Sequence, residues 1–207
     1  MSKSVTQYIA VLADAVGSRR LAAPARQALQ DQLRAALTAA NRKWRSAIVA
    51  RFAITLGDQL EGLLAADAPL WDIIHYLRAQ LDGDWIIACG RGPLATTLGP
   101  SVVELDGPCF HEAREALEHA KPERLVLAFG GYDAIASAFS AYYSALYWTW
   151  TRRQREAASL LRTLKPAEVA ERLGVDRSAV SHLTRRISWQ QVEDGDAAFK
   201  QHLEKAR

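Results

Sequence analysis

Two apolar runs meet across a two-residue link at Gly57-Asp58. The first, Ser46 to Leu56, carries Ile48, Val49, Phe52, Ile54 and Leu56 into the link, and the second, Gln59 to Leu64, leaves it at once. A Gly-Asp pair between two such runs is a hairpin signal, because glycine readily takes the left-handed conformation that short β-connections require. The chain must therefore build antiparallel sheet, and every other segment has to be reconciled with one.

Gln7 to Ala13 is a short apolar run with β-branched members, bounded by Asp14 and Gly17, and it reads as a central strand. Leu21 to Asn41 repeats apolar residues at helical spacing, with Pro24 tolerated in the first turn. Leu70 to Leu81 and Pro108 to Ala120 are helical by pattern, and Asp84 to Cys89 and Arg124 to Phe129 are further strands. Gly90 to Pro100, with three glycines and two prolines, reads as loop, and Asp133 to Trp148 as a long aromatic-rich helix. This order predicts an α+β fold, with helices layered on a mostly antiparallel sheet.

Composition removes several alternatives. A chain of 207 residues with 49% hydrophobic and 24% charged residues is an ordinary globular protein rather than a disordered one. Its longest apolar run, Ser137 to Trp150, is broken by serines and tyrosines and falls short of the ~20 residues of a membrane helix. The N-terminus has no secretory pattern, and Cys89 and Cys109 form neither a disulfide framework nor a zinc spacing, so a cytoplasmic location is expected. Charge is unevenly placed: residues 151–207 hold 12 Lys+Arg against 8 Asp+Glu, leaving 14 against 15 for residues 1–150. The C-terminal quarter is thus the end suited to a polyanion.

Asp14 follows one predicted strand and Asp58 lies in the link after another. If those strands are neighbours, both acids emerge at one edge of the sheet, where two hard oxygen ligands suit a Mg²⁺ that bridges nucleotide phosphates. The same residues also suit turns on their own account. Gly90-Arg91-Gly92-Pro93 lacks the spacing of a phosphate loop and reads as an ordinary connection. His75, His111 and His119 form no constellation.

Ala13-Asp14-Ala15-Val16-Gly17-Ser18 resembles the first-strand signature of class III nucleotide cyclases. Thr55-Leu56-Gly57-Asp58-Gln59-Leu60 resembles the cyclase hairpin and the Gly-Gly-Asp-Glu-Phe turn of diguanylate cyclases. Taken with Asp106-Gly107-Pro108-Cys109-Phe110-His111-Glu112-Ala113-Arg114-Glu115-Ala116-Leu117, these stretches resemble the SatD family, over nearly all of residues 7–190. The resemblance implies a ferredoxin-like, nucleotidyl-cyclase-type palm followed by a small all-α helix-turn-helix domain. It implies Asp14 and Asp58 as metal ligands, and Gly17, Ser18, Arg19, Gly57 and Arg114 as nucleotide-binding positions. The transition-state residues of the cyclases are not matched: His111 stands where the asparagine would, Glu115 where the arginine would, and Gln59 replaces the second acid of the diguanylate turn. A glutamate aimed at a phosphate is repulsive, so the palm is expected to be a ligand-binding or vestigial site, one that senses a nucleotide through Mg²⁺ in the first case, rather than an active cyclase.

Thr151-Arg152-Arg153-Gln154 has the form of a capping box and marks a fresh helix start. Beyond it, Val169, Ala170 and Leu173 face inward, Gly174 supplies a left-handed turn, and Asp176 caps a second helix that buries Ala179, Val180 and Leu183. The pattern resembles helix-turn-helix modules of the sigma-region-four and response-regulator kind. In such modules the second helix enters the major groove, which sets Arg177, Ser178, Ser181 and His182 at base edges and Arg185 and Arg186 at phosphates. Arg152, Arg153 and Arg155 would add a basic flank. The expected organisation is a palm over 1–132, an aromatic linker helix over 133–150 and a DNA-binding domain over 151–207. The expected function is a cytoplasmic transcriptional regulator that dimerises on double-stranded DNA. The alternative is a nucleotidyl cyclase-type phosphoryl-transfer enzyme with an accessory helix-turn-helix.

Overall fold

Gly57, at φ 63°, turns the chain between β2 (Ile48–Ile54) and β3 (Gln59–Ala65), and the two strands pair antiparallel. The structure, a computed structural model, describes residues 5–18, 21–55, 57–99 and 101–205. Against β3 lies β1 (Tyr8–Ala15), antiparallel, with β4 (Trp85–Gly92) antiparallel on its other side. A short β5 (Leu127–Gly130) pairs parallel to β4, giving the order β2-β3-β1-β4-β5. The first four strands have the order and pairing of a split βαβ unit, as in ferredoxin-like sheets.

Both faces of this sheet are covered, which is why β1 reads as an unbroken apolar run. Ile9, Val11 and Ala13 join a cluster with α1 (Ala23–Lys43) and α2 (Leu70–Gln80), while Ala10 and Leu12 join a second cluster under α3 (Pro108–Glu123). A helix can lie this close to β4 and β5 only where side chains are missing: a Cβ on Gly90 or Gly130 would strike the α3 backbone. The loop expected from Gly90 is therefore displaced. Gly90-Arg91-Gly92 completes β4 by pairing with Tyr8 to Ala10, and the irregular segment begins at Pro93. Likewise α3 runs on to Glu123 and stops where Arg124 turns left-handed at φ 55°, so the last strand starts later than its pattern predicts.

Helix α4 (Ala134–Thr149) starts on Asp133, whose carboxylate accepts from Ala136 N at 3.1 Å, and returns to the α1–α2 face. Four further helices follow: α5 (Arg152–Leu161), α6 (Pro166–Leu173), α7 (Arg177–Arg186) and α8 (Trp189–Lys205). The capping box at Thr151 and Gln154 forms as read, as do the left-handed Gly174 (φ 63°) and the Asp176 cap of α7. Their apolar residues are continuous with the sheet core. Phe199 of α8 stacks on Phe139 of α4 at 3.9 Å between centroids, and Trp71 of α2 meets both rings edge-on. The aromatic excess of α4 is thus spent on joining the C-terminal helices to α2.

Candidate functional site

Strand register decides where the two acids go. Asp14 pairs directly with Gln59 across β1 and β3, so Asp58, one residue earlier in the hairpin, emerges at the same sheet end. Gly17, at φ 78°, then turns the chain away from β1. The turn brings Ser18 back under the hairpin, where its Oγ donates to Asp58 Oδ2 and its backbone carbonyl accepts from Leu21 N at 3.0 Å. Ser18 is buried and Asp58 half-buried. Around them Arg26, Leu29 and Gln30 of α1 and Gly57 line a cleft of about 200 Å³. Arg19 lies outside the described residues.

Asp14 faces the other way. It shares a sheet side with Leu12, and its Oδ2 meets Lys121 Nζ of α3 at 3.3 Å, while the same ammonium meets Glu118 at 2.6 Å. Partial burial opposes the charge on Lys121, but Glu118 and Asp14 outweigh it and hold the ammonium above the ordinary lysine range. The two acids therefore share a sheet end without sharing a partner. Among the described residues no three His, Cys, Asp or Glu side chains group as a metal site. Two carboxylates alone leave a Mg²⁺ shell incomplete, and further oxygen ligands would have to come from elsewhere.

Arg114 is engaged by another acid. It lies 3.6 Å from Asp106, whose carboxylate also meets His111 at 3.0 Å. Asp106 is held below the usual carboxylate range, first by the backbone N–H of Gly107. Glu115, at the position where an arginine would be expected, is exposed. Two residues that sequence reasoning passed over do belong here. Lys121 is one. The other is Glu61, which stands two residues after Gln59 on the side shared with Leu12, its directly opposed partner, and so on the side of Asp14. Burial raises its carboxyl above the ordinary range, against the opposing charge of Arg114 and a 3.5 Å hydrogen bond from Thr55. The period-two spacing from Gln59 was the available signal for it.

Comparison with family models matches residues 8–125, more than half of the chain, to the SatD family. The chain belongs to the SatD family. No curated protein matches it. Among solved structures, this SatD-family chain is similar to a bacterial light-regulated adenylyl cyclase, with TM-score 0.44, 11% identity, and coverage of 61% of this chain and 76% of that one. It is also similar to the dimeric guanylyl cyclase domain of the RhoGC fusion protein from the aquatic fungus Blastocladiella emersonii (TM-score 0.40, 16% identity, 55% and 74% covered). A third is the catalytic core of a rhodopsin-guanylyl cyclase with converted specificity in complex with ATPαS (0.40, 17%, 57% and 76%).

At the C-terminal end of this SatD-family chain, Arg177, Ser178, Ser181, His182, Arg185 and Arg186 are all exposed on α7. Asp176 accepts from Ala179 N at 2.8 Å and from Ser178 Oγ at 2.6 Å, and these bonds hold its carboxyl below the usual range, the Ser178 bond foremost. Arg185 bends back on its own helix, donating to His182 Nδ1 at 2.8 Å. Of the basic flank expected at Arg152, Arg153 and Arg155, the first two are exposed. Arg153 donates to Leu173 O and pairs with Glu156 at 3.1 Å, and Arg155 turns inward to Asp84 at 3.5 Å between the rings of Tyr147 and Trp148. No helix among the described residues is long and apolar enough to cross a membrane.

Proposed function

We propose that the palm binds a nucleoside triphosphate through a divalent cation at Asp14 and Asp58 and carries out phosphoryl transfer of the nucleotidyl-cyclase type. The observation that carries this reading is the Asp14–Gln59 register, which brings both acids to one sheet end beside the cleft lined by Ser18, Arg26 and Gly57. The cation would neutralise and orient the phosphates. Arg26 supplies a guanidinium in the cleft, and the turn at Gly17-Ser18 supplies backbone close to the hairpin. Since Glu115 contributes no positive charge, Lys121 takes that part: when a cation takes over Asp14, its ammonium is released toward the phosphates. The test is product formation from nucleoside triphosphates with Mg²⁺ or Mn²⁺, lost in Asp14→Asn and in Asp58→Asn. Metal-dependent binding without product would leave a nucleotide sensor, and no metal-dependent binding at all would end this reading.

A second reading, that the chain regulates transcription through a helix-turn-helix, is favoured by one observation, the six polar side chains left exposed along α7. They would meet duplex DNA from a dimer on paired half-sites. Arg177→Ala combined with Arg185→Ala should then abolish salt-sensitive DNA binding, and unchanged DNA retention in that variant would count against it.

A further inference from the structure

Beside the start of β4, near the sheet end that carries Asp14, a separate cleft of about 400 Å³ opens between α2, β4, α5 and α6. At its edge is a buried cation with no carboxylate within 4 Å among the described residues. Arg78 is 7% exposed, and its Nη2 donates to the carbonyls of Val126 (2.6 Å) and Trp85 (3.4 Å). Its Nε and Nη1 have no partner among the described residues. The nearest compensation is the face of Tyr147, 5.3 Å from the guanidinium carbon. A buried guanidinium with donors unmade is costly unless an anion completes it.

The rest of the lining repeats that imbalance. Two of the three carboxylates are already engaged, Asp84 by the Tyr147 hydroxyl (2.8 Å) and Arg155, Glu156 by Arg153. Asp82 is exposed. Arg152 of α5 and Arg172 of α6 both line the cleft, are exposed, and make no hydrogen bond or ion pair among the described residues. Ser159 adds a hydroxyl oxygen without a partner. Three guanidinium forks from three separate elements thus border one concavity large enough for a mononucleotide.

We infer that this cleft is an anion site for a small phosphate monoester, held by Arg78, Arg152 and Arg172. A phosphate dianion offers enough acceptors for several forks at once, and arginine suits it better than lysine does. The cleft, rather than a convex surface, favours a small ligand over a nucleic-acid backbone. Its position gives the ligand a consequence. Bound there, it ties α2 of the palm to α5 and α6, directly ahead of α7. It also adjoins Asp84, whose carbonyl accepts from the N–H of Val16, two residues beyond Asp14, at 2.9 Å. A ligand favouring one arrangement of these helices would shift the molecule toward it.

The experiment is a thermal-shift titration of the full chain with inorganic phosphate and with adenosine monophosphate, at constant ionic strength and in excess EDTA. EDTA silences any cation site. The expected result is a saturable rise in melting temperature beyond a chloride control. The apparent affinity should fall at least ~10-fold in Arg152→Ala/Arg172→Ala, whose substituted side chains are exposed, and stay unchanged in Asp58→Asn. A shift that survives the double arginine variant, that disappears equally in Asp58→Asn, or that only duplex DNA produces would overturn the assignment, as would no shift at all.

Discussion

Lys121 of α3 lies 3.3 Å from Asp14 of β1, so an ammonium already occupies one of the two carboxylates that the proposed cation needs. The pair is partly exposed, at 33% and 20%, and such pairs contribute at most ~1 kcal/mol. A divalent ion arriving with a nucleotide can therefore displace it. Lys121→Met should bind Mn²⁺ about three- to five-fold more tightly without nucleotide, as read by metal titration of the melting temperature. The same variant should form less product, because the ammonium facing the phosphates is gone. Unchanged metal affinity would mean that the lysine is not in the ion's path.

Gly90 is required by a neighbour far away in sequence. A Cβ there would overlap the backbone of Cys109 and Ala113, which cannot move without shifting all of α3. Gly90→Ala should lower the unfolding free energy by about 3 kcal/mol, the upper end of overpacking costs. Gly99→Ala is the comparison: its Cβ would meet only the Glu104 side chain at 3.7 Å, and the change should stay within about 0.5 kcal/mol. Denaturant titration of both variants separates steric exclusion by α3 from a general loss of chain flexibility.

These two residues also show what the sequence makes legible. The Gly57-Asp58 hairpin, the Thr151 capping box, the left-handed Gly174 and the Asp176 cap are decided within four residues, and each forms where its local chemistry predicts. Gly90 to Gly92 has the composition of a loop but the role of a packed strand, because the reason for glycine lies in α3. The partnership of Lys121 with Asp14 spans more than a hundred residues and leaves no local trace. Arg155 was legible as basic but not as inward-facing, and Arg153 as basic but not as tied to Leu173, since the partners Asp84 and Leu173 are supplied by other elements. The sheet end of Asp14 and Asp58 could be anticipated, and the separate partners that hold the two acids could not.

The ion pair of Arg162, which caps the C-terminus of α5, with Asp196 of α8 lies out of water: Nε to Oδ2 is 2.7 Å, Nη2 to Oδ1 is 3.4 Å, and the side chains are 7% and 13% exposed. Burial pushes the Asp196 carboxyl up, against the pull of Arg162. Removing one partner strands the other charge, so Asp196→Ala should cost about 3–5 kcal/mol. Arg162→Met/Asp196→Leu, which removes both charges and fills the space, should recover most of that loss. If the double variant is as unstable as the single one, packing rather than the stranded charge is responsible.

His75 of α2 is 4% exposed, edge-on to Trp71 at 4.4 Å between centroids, and neither ring nitrogen has a partner among the described residues. Burial, reinforced by the positive charges of Arg162 and Arg78, holds its pKa well below the ordinary histidine value. The folded protein therefore keeps His75 neutral at pH values where the unfolded chain, titrating near 6.5, takes up a proton. Because the unfolded state then binds more protons, stability falls as pH drops below about 6.5, by up to ~1.4 kcal/mol per unit, until the folded pKa is reached. His75→Phe keeps a planar ring against Trp71 and removes the titration. Urea unfolding at pH 7 and pH 5 should show a smaller loss of stability in the variant than in the wild type, by at most about 2 kcal/mol. Equal losses in both proteins would show that His75 is not what acid destabilises.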